Sequence, residues 1–447
     1  MDDWNDAEQR VERAAELFEQ QRWHEAMEEL RAATSINPYN STWFYNLGIT
    51  LDQLGRQDEA IEAYQNAISI DPNDLQAMLR LGSDYHELGR HKDALRTLEQ
   101  IEAIDATHEP AYCGRILIYA QLRQHQRAEE MFYLARLYKE HCPDCYYNIG
   151  VSLAARKFYD KAIYCWHRAL DLETTYPQAH LRIAEALWDK GDLELARHHF
   201  LEALRQDPGD TTTLLDLADL LIDLGRREEA GEKIRRAVEL RPDDPAGHYS
   251  LGRWLVHHEK DAEAEFSLRR AIQLDPTYPG AHLHLAKIFQ RRHETTDARQ
   301  QLRAEMLLRP DDPQILMDLA NLLVDLGETR SAMACLKRLV QIDPTSARAW
   351  QNLAVVQFMR RRFEEGIVSS HEALHCDPNN IMAIHNLALA LGRMGQFGEA
   401  LEQARHGRIK APKDVSLQRL EMRMRAMSMI SKLRAAIRRI LKVKSLT

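Results

Sequence analysis

The sequence predicts an all-α solenoid of antiparallel helix pairs, and three observations predict it. A 34-residue pattern repeats twelve times in unbroken phase from Ala7 to Asp414. Each copy carries two apolar stripes at helical spacing. Eleven of the twelve also keep small residues at two fixed places, where helix backbones must approach closely. A self-similar period of about 20 to 50 residues marks units that bury a core only by stacking on their neighbours. The repeats occupy 408 of 447 residues, which leaves almost no chain for a catalytic domain.

The blocks begin at Ala7, Ser41, Leu75, Glu109, Pro143, Pro177, Thr211, Pro245, Pro279, Pro313, Ala347 and Ile381. In the second block Phe44, Leu47, Gly48 and Leu51 follow i, i+3, i+4, i+7 spacing and predict the first helix. Gly55 terminates it, and Ala60, Tyr64 and Ala67 predict the second helix. Pro72 cannot continue a helix and biases Asp71 away from helical dihedrals, so the pair ends there. The eighth position is small in every block except the fourth, which has Ile116. The twentieth is alanine in every block except the eleventh, which has Gly366. Blocks four and five depart most: Glu140 and Thr174 replace the closing proline, and Arg123 and Lys157 replace the mid-block glycine. Local opening is expected to be easiest there.

Residues 1–6 read as a lead-in, 7–414 as the array and 415–447 as a basic amphipathic tail. The tail carries nine Lys or Arg against the single acid Glu421, a net of +8 that leaves −17 for the rest of the chain. Leu417, Leu420, Met424 and Met427 form one stripe, expected to cap the exposed end of the array. Ile430, Leu433, Ile437, Ile440 and Leu441 form a second, rotated stripe, opposed by Lys432, Arg434, Arg438, Arg439 and Lys442. Two short helices, or one with a shifted face, accommodate both. The second segment suits weak contact with an anionic membrane, a partner, nucleic acid or the protein's own acidic groove. The acidic start lacks the apolar run of a secretory leader, and no stretch approaches the roughly 18 apolar residues of a membrane span. Six scattered cysteines are too few for a disulfide framework, so the expected compartment is the cytoplasm.

The repeat length and its fixed residues resemble the tetratricopeptide repeat. The resemblance implies a right-handed superhelix whose first helices line a concave groove, a protein or peptide ligand in that groove, and no cofactor. Helical geometry gives the same register: positions two, six, nine and thirteen point away from the buried set at four, seven, eight and eleven. Asn46, Asn148, Asn352 and Asn386 stand at position six, where an amide can pair with an extended peptide backbone whatever its sequence. Tetratricopeptide grooves often use asparagine at this place. Arg348, Val355, Leu389 and Arg393 flank the last two.

Charge along this register comes in stretches. Glu185, Asp189, Asp216, Asp219 and Asp223 are acidic, Arg253, His257, His284, Lys287 and Arg291 basic, and Asp318 and Asp325 acidic again. Such alternation favours a bipolar ligand. Gly114, Leu117, Val151 and Ala155 make blocks four and five apolar. The clamp for acidic chaperone tails is absent, with Tyr45, Leu79 and Cys113 where its first lysine belongs.

No residue set for catalysis or metal binding emerges. Cys142-Pro143-Asp144-Cys145, after His141, has redox or zinc spacing. It supplies two of four zinc ligands, no second pair completes it, and the strand–helix context of a redox pair is missing. It reads as two semi-buried thiols. His180, His248 and His282 share the fourth position with Phe44, Tyr112, Tyr146 and Trp350, and read as packing aromatics. No phosphate loop or nucleophile elbow is present. The expected function is a non-catalytic interaction scaffold or adaptor. The alternative is a regulatory or targeting subunit of an enzyme whose active site is on another chain. A net charge of −17 outside the tail opposes nucleic-acid binding.

Overall fold

The computed structural model describes residues 2–139 and 141–444. These form twenty-five helices and no strand, in two compact units, Met1–Lys233 and Ile234–Thr447. In the first unit α1 (Asp2–Glu19) packs on α2 (Trp23–Ile36), α3 (Ser41–Gln53) on α4 (Gln57–Ile70), and α5 (Leu75–Glu87) on α6 (His91–Ile104). The pairs α7 (Glu109–Gln121) with α8 (His125–Tyr138), α9 (Pro143–Ala155) with α10 (Tyr159–Leu172), and α11 (Pro177–Lys190) with α12 (Leu193–Gln206) follow. Then come α13 (Thr211–Asp223) and α14 (Arg227–Leu240), within which the boundary falls.

The second unit repeats the plan with α15 (Pro245–His257) on α16 (Asp261–Leu274), α17 (Ala281–Arg291) on α18 (Thr295–Leu307), and α19 (Pro313–Asp325) on α20 (Thr329–Ile342). Next are α21 (Ala347–Met359) on α22 (Phe363–Cys376), α23 (Ile381–Arg393) on α24 (Phe397–Lys410), and α25 (Val415–Lys444). No helix among the described residues is long and apolar enough to cross a membrane.

Fixed residues act as local switches between helix and turn. Asn40, Asp74, Asp210, Asp244, Asp312, Ser346 and Asn380 precede first helices, and each side chain accepts a backbone N–H of the first turn. The mid-block turn needs one residue in the left-handed region. At Gly55 it lets Arg56 N–H donate to Leu51 C=O at 3.0 Å and Gly55 N–H to Asp52 C=O at 2.9 Å, which closes the helix end. Gln21, Arg123, Lys157, Glu259, His293 and Arg361 hold the same turn with positive φ. Loss of this glycine therefore does not set blocks four and five apart.

The two small positions match large neighbours. A Cβ at Gly48 would lie 2.5 Å from the Tyr64 ring, and one at Gly150 2.5 Å from Trp166 Nε1. The fourth position ties a block to the turn before it. Tyr112 Oη donates to Ala106 C=O at 2.9 Å, Trp350 Nε1 to Pro344 C=O at 2.9 Å, and the His248 ring meets Pro242 C=O at 2.9 Å. Gln418 Nε2 bonds Pro412 C=O at 2.8 Å, so α25 begins as a thirteenth first helix. Its residues Leu417, Leu420 and Met424 are buried with Leu387, Leu391, Ala400 and Ala404. Met427 is exposed instead, and Glu421 joins the buried face, 2.9 Å from Arg408 Nε. α25 is one continuous helix, and its Ile430 and Leu433 are exposed. The remaining tail positions Ile437, Arg438, Arg439, Ile440, Leu441 and Lys442 lie outside the residues whose side chains are described, and Glu140 lies outside the described residues altogether.

Asp84 on α5 is a buried carboxyl in the first unit. Its Oδ2 is buried without a hydrogen-bond partner. Burial first, and then the negative charges of Asp52 and Glu87, push its pKa up to about 7. The folded chain holds this proton and the unfolded chain releases it near the ordinary carboxylate value, so stability falls as the pH rises between the two. Asp84→Asn is expected to stabilise α5 and α6 at pH 8 by about 1–3 kcal/mol, because the amide carries no charge for burial and the neighbouring carboxylates to penalise. Near pH 4 the gain should vanish. Hydrogen exchange of these helices at the two pH values checks it.

Candidate peptide groove

The groove register spreads its candidate residues over the first helices, and their surroundings sort them. Asn46 on α3 is half-buried and lines a cavity of about 220 Å³ with Val11, Ala14, Phe18 and Ile49. Asn148 on α9 does not face a ligand: it is buried, and its Nδ2 donates to Cys113 C=O at 3.0 Å. Asn352 and Asn386 stand on consecutive first helices, α21 and α23. Asn352 Nδ2 donates to Asn321 Oδ1 at 3.2 Å and lies 3.3 Å from Met317 Sδ, which turns it toward α19. Asn386 is half-buried, and its amide has no hydrogen-bond partner among the described residues. Arg348 and Arg393 are exposed and make no ion pair among the described residues, while Val355 and Leu389 are half-buried.

The alternating charges are largely spent within each unit. Lys287 Nζ lies 2.7 Å from Asp318 Oδ2, across two consecutive first helices. Arg291 pairs with Asp261 and donates to Val256 C=O at 2.9 Å, and Gln290 Nε2 reaches Asp325 Oδ2 at 3.5 Å. His284 is no cation. It is buried, and burial together with Lys287, Arg253 and His257 holds it well below the usual imidazole range. Arg253 is half-buried and His257 exposed on α15. In the first unit Asp189 accepts from Tyr159 Oη at 3.1 Å and Asp223 from Trp188 Nε1 at 2.8 Å. Glu185 meets Arg182 at 2.8 Å. Asp216 is half-buried, and burial first, then Glu185, Asp219 and Asp210, push it up to about 6. Crowded carboxylates of this kind favour a cationic neighbour.

Blocks four and five break the pattern. α7 and α9 pack on one another along much of their length, as no other described pair of consecutive first helices does. The Cys113 and Cys145 Cα atoms are 5.0 Å apart and their Sγ atoms are bonded, contrary to the expectation of scattered thiols. Cys142 Sγ is 3.2 Å from Cys113 Sγ, and Glu109 Oε1 is 3.1 Å from Cys113 Sγ and 3.8 Å from Cys145 Sγ. Burial, and beyond it the Glu109 carboxylate, push the Cys142 thiol up to about 12. His141 is exposed and stays outside the group. The motif alone showed only half of this cluster. The missing signal was the repeat itself, since residues about one period apart, such as Cys113 and Cys145, are neighbours in a stack.

Helix pairs repeated in tandem define an α-solenoid repeat protein. Tetratricopeptide repeat profiles match residues 42–74, 76–103, 147–211, 187–253, 313–356 and 372–402. The chain belongs to the tetratricopeptide repeat family, with an all-α tetratricopeptide solenoid fold. Among solved structures it is similar to yeast Tom70, at 16% identity over 97% of this chain and 96% of that one, with a TM-score of 0.43. A tetratricopeptide repeat protein of Parabacteroides merdae is 18% identical over 56% of this chain and 99% of its own, at a TM-score of 0.48. A thermophilic tetratricopeptide repeat protein of Thermus thermophilus is 24% identical over 41% of this chain and 99% of its own, at 0.38. No curated protein matches the sequence.

Proposed function

We propose that the chain is a non-catalytic scaffold that binds an extended, acidic segment of a partner protein on the first helices α21 and α23. The observation that carries this reading is Asn386, half-buried at groove register with an unpartnered amide. Such an amide can donate to and accept from a peptide backbone. The unpaired Arg348 and Arg393 supply charge-assisted anchors, and Val355 and Leu389 supply apolar contact. The acidic face of α11 and α13, with Asp216 at its centre, suits a cationic segment in the same way.

The test is selection from a displayed library of extended acidic peptides on the full chain, followed by calorimetry. Asn352→Ala with Asn386→Ala should weaken a selected peptide by about 1–3 kcal/mol, the cost of backbone groups left unpaired. Arg393→Glu should weaken it further, with helix content unchanged in both. Equal affinity for parent and double variant would move the site away from α21 and α23.

A further inference from the structure

We propose that, once a two-electron reductant such as a phosphine has opened the Cys113–Cys145 disulfide to two thiols, Cys113, Cys142 and Cys145 give up their three thiol protons and form with Glu109 a closed zinc site that pins α7 to α9. One ligand atom from each residue lies within 4.8 Å of all the others, and the three cysteines are buried. Zinc with Zn–S bonds of about 2.3 Å holds tetrahedral sulfurs about 3.8 Å apart, so small side-chain rotations suffice. Three thiolates exclude magnesium and calcium as the fitting ion, and a full protein ligand set of four describes a structural site.

The surroundings orient these ligands. Glu109 and Cys113 are one turn apart on α7, which places both on one face. Cys142 occupies the N-cap of α9, where most other blocks have Asp, Asn or Ser, and its Sγ accepts the Cys145 N–H at 3.1 Å. A helix N-terminus stabilises thiolate there, and that hydrogen bond remains available to a metal-bound sulfur. Lys139 Nζ holds Glu109 Oε2 at 3.0 Å, leaving Oε1 turned to the thiols. Its charge also offsets part of the excess of three thiolates and a carboxylate over one divalent ion. Asn148 fastens the Cys113 carbonyl to α9 from the other side.

The full chain, purified under a thiol-free reductant, should hold one zinc by elemental analysis and in competition with a chromophoric chelator. Cys142→Ser with Cys145→Ser should hold none, Glu109→Gln should release zinc to weaker chelators, and Cys335→Ser should behave as the parent. Cobalt in place of zinc should show thiolate-to-metal charge transfer, a readout that does not depend on any variant folding. Zinc should also slow hydrogen exchange in α7 and α9 alone. A reduced parent chain that retains no more zinc than the double cysteine variant, or a cobalt form without the charge-transfer band, overturns the site. In that case the Cys113–Cys145 disulfide is the cluster's only bonded state.

Discussion

Trp166→Ala should destabilise the fifth block by about 3–5 kcal/mol, the usual cost of emptying a fully buried aromatic site. Trp166 is 2% exposed, its Nε1 donates to Tyr147 C=O at 3.1 Å, and its ring fills the space left by Gly150. The variant leaves a cavity, while the Tyr147 carbonyl keeps its bond inside α9, so the cavity carries the cost. Hydrogen exchange should show α9 and α10 opening first, with α3 to α6 protected as before. Adding Gly150→Ala should be tolerated better in the Trp166→Ala background than alone, because the new methyl then meets the cavity and no longer meets a ring. A loss below about 1 kcal/mol would mean that the block collapses onto the gap.

Glu305→Ala should cost roughly 2–4 kcal/mol: two charge-assisted bonds at about 1.5–3 kcal/mol each, less what it costs to bury the carboxylate, whose pKa burial raises. Glu305 on α18 is fully buried and accepts from Gly280 N–H at 2.7 Å and Leu283 N–H at 3.2 Å. Gly280 is the N-cap of α17, holds φ at 84° and offers no capping side chain. The carboxylate of the second helix thus caps the first from outside it. Glu305→Gln keeps an acceptor oxygen and should lose about half as much. Thermal unfolding with exchange mapped on α17 separates the variants, and equal losses for Ala and Gln would show that the charge matters more than the acceptor.

What the sequence made legible follows from repetition. Gly48 with Tyr64, Ala60 with Leu51 and the turn at Gly55 recur so often that their shared meaning outweighs any local exception. Single departures carry no such support. Glu305 stands where most blocks have alanine, and only the packed structure shows the N–H groups it meets. Asn148 and His284 hold groove register, yet neighbouring helices bury them. Lys287 and Asp318 read as opposite stretches of a ligand surface because one-dimensional charge patterning cannot tell a partner's charge from the next block's. The cysteine cluster was hidden for a related reason: Glu109 and Cys113, about one period before Cys142 and Cys145, supply its other half.

All substantial helix packing in the two units joins helices adjacent or next-but-one along the chain. Contacts so local in sequence close short loops only, and chains of this kind fold quickly for their length. Each block therefore finds its partner as soon as the following helix exists. On a ribosome adding about 5–20 residues per second, the early blocks have time to settle before α25 has been made. The order of synthesis then becomes the order of assembly, and until α25 arrives the growing end always presents an unfinished apolar face.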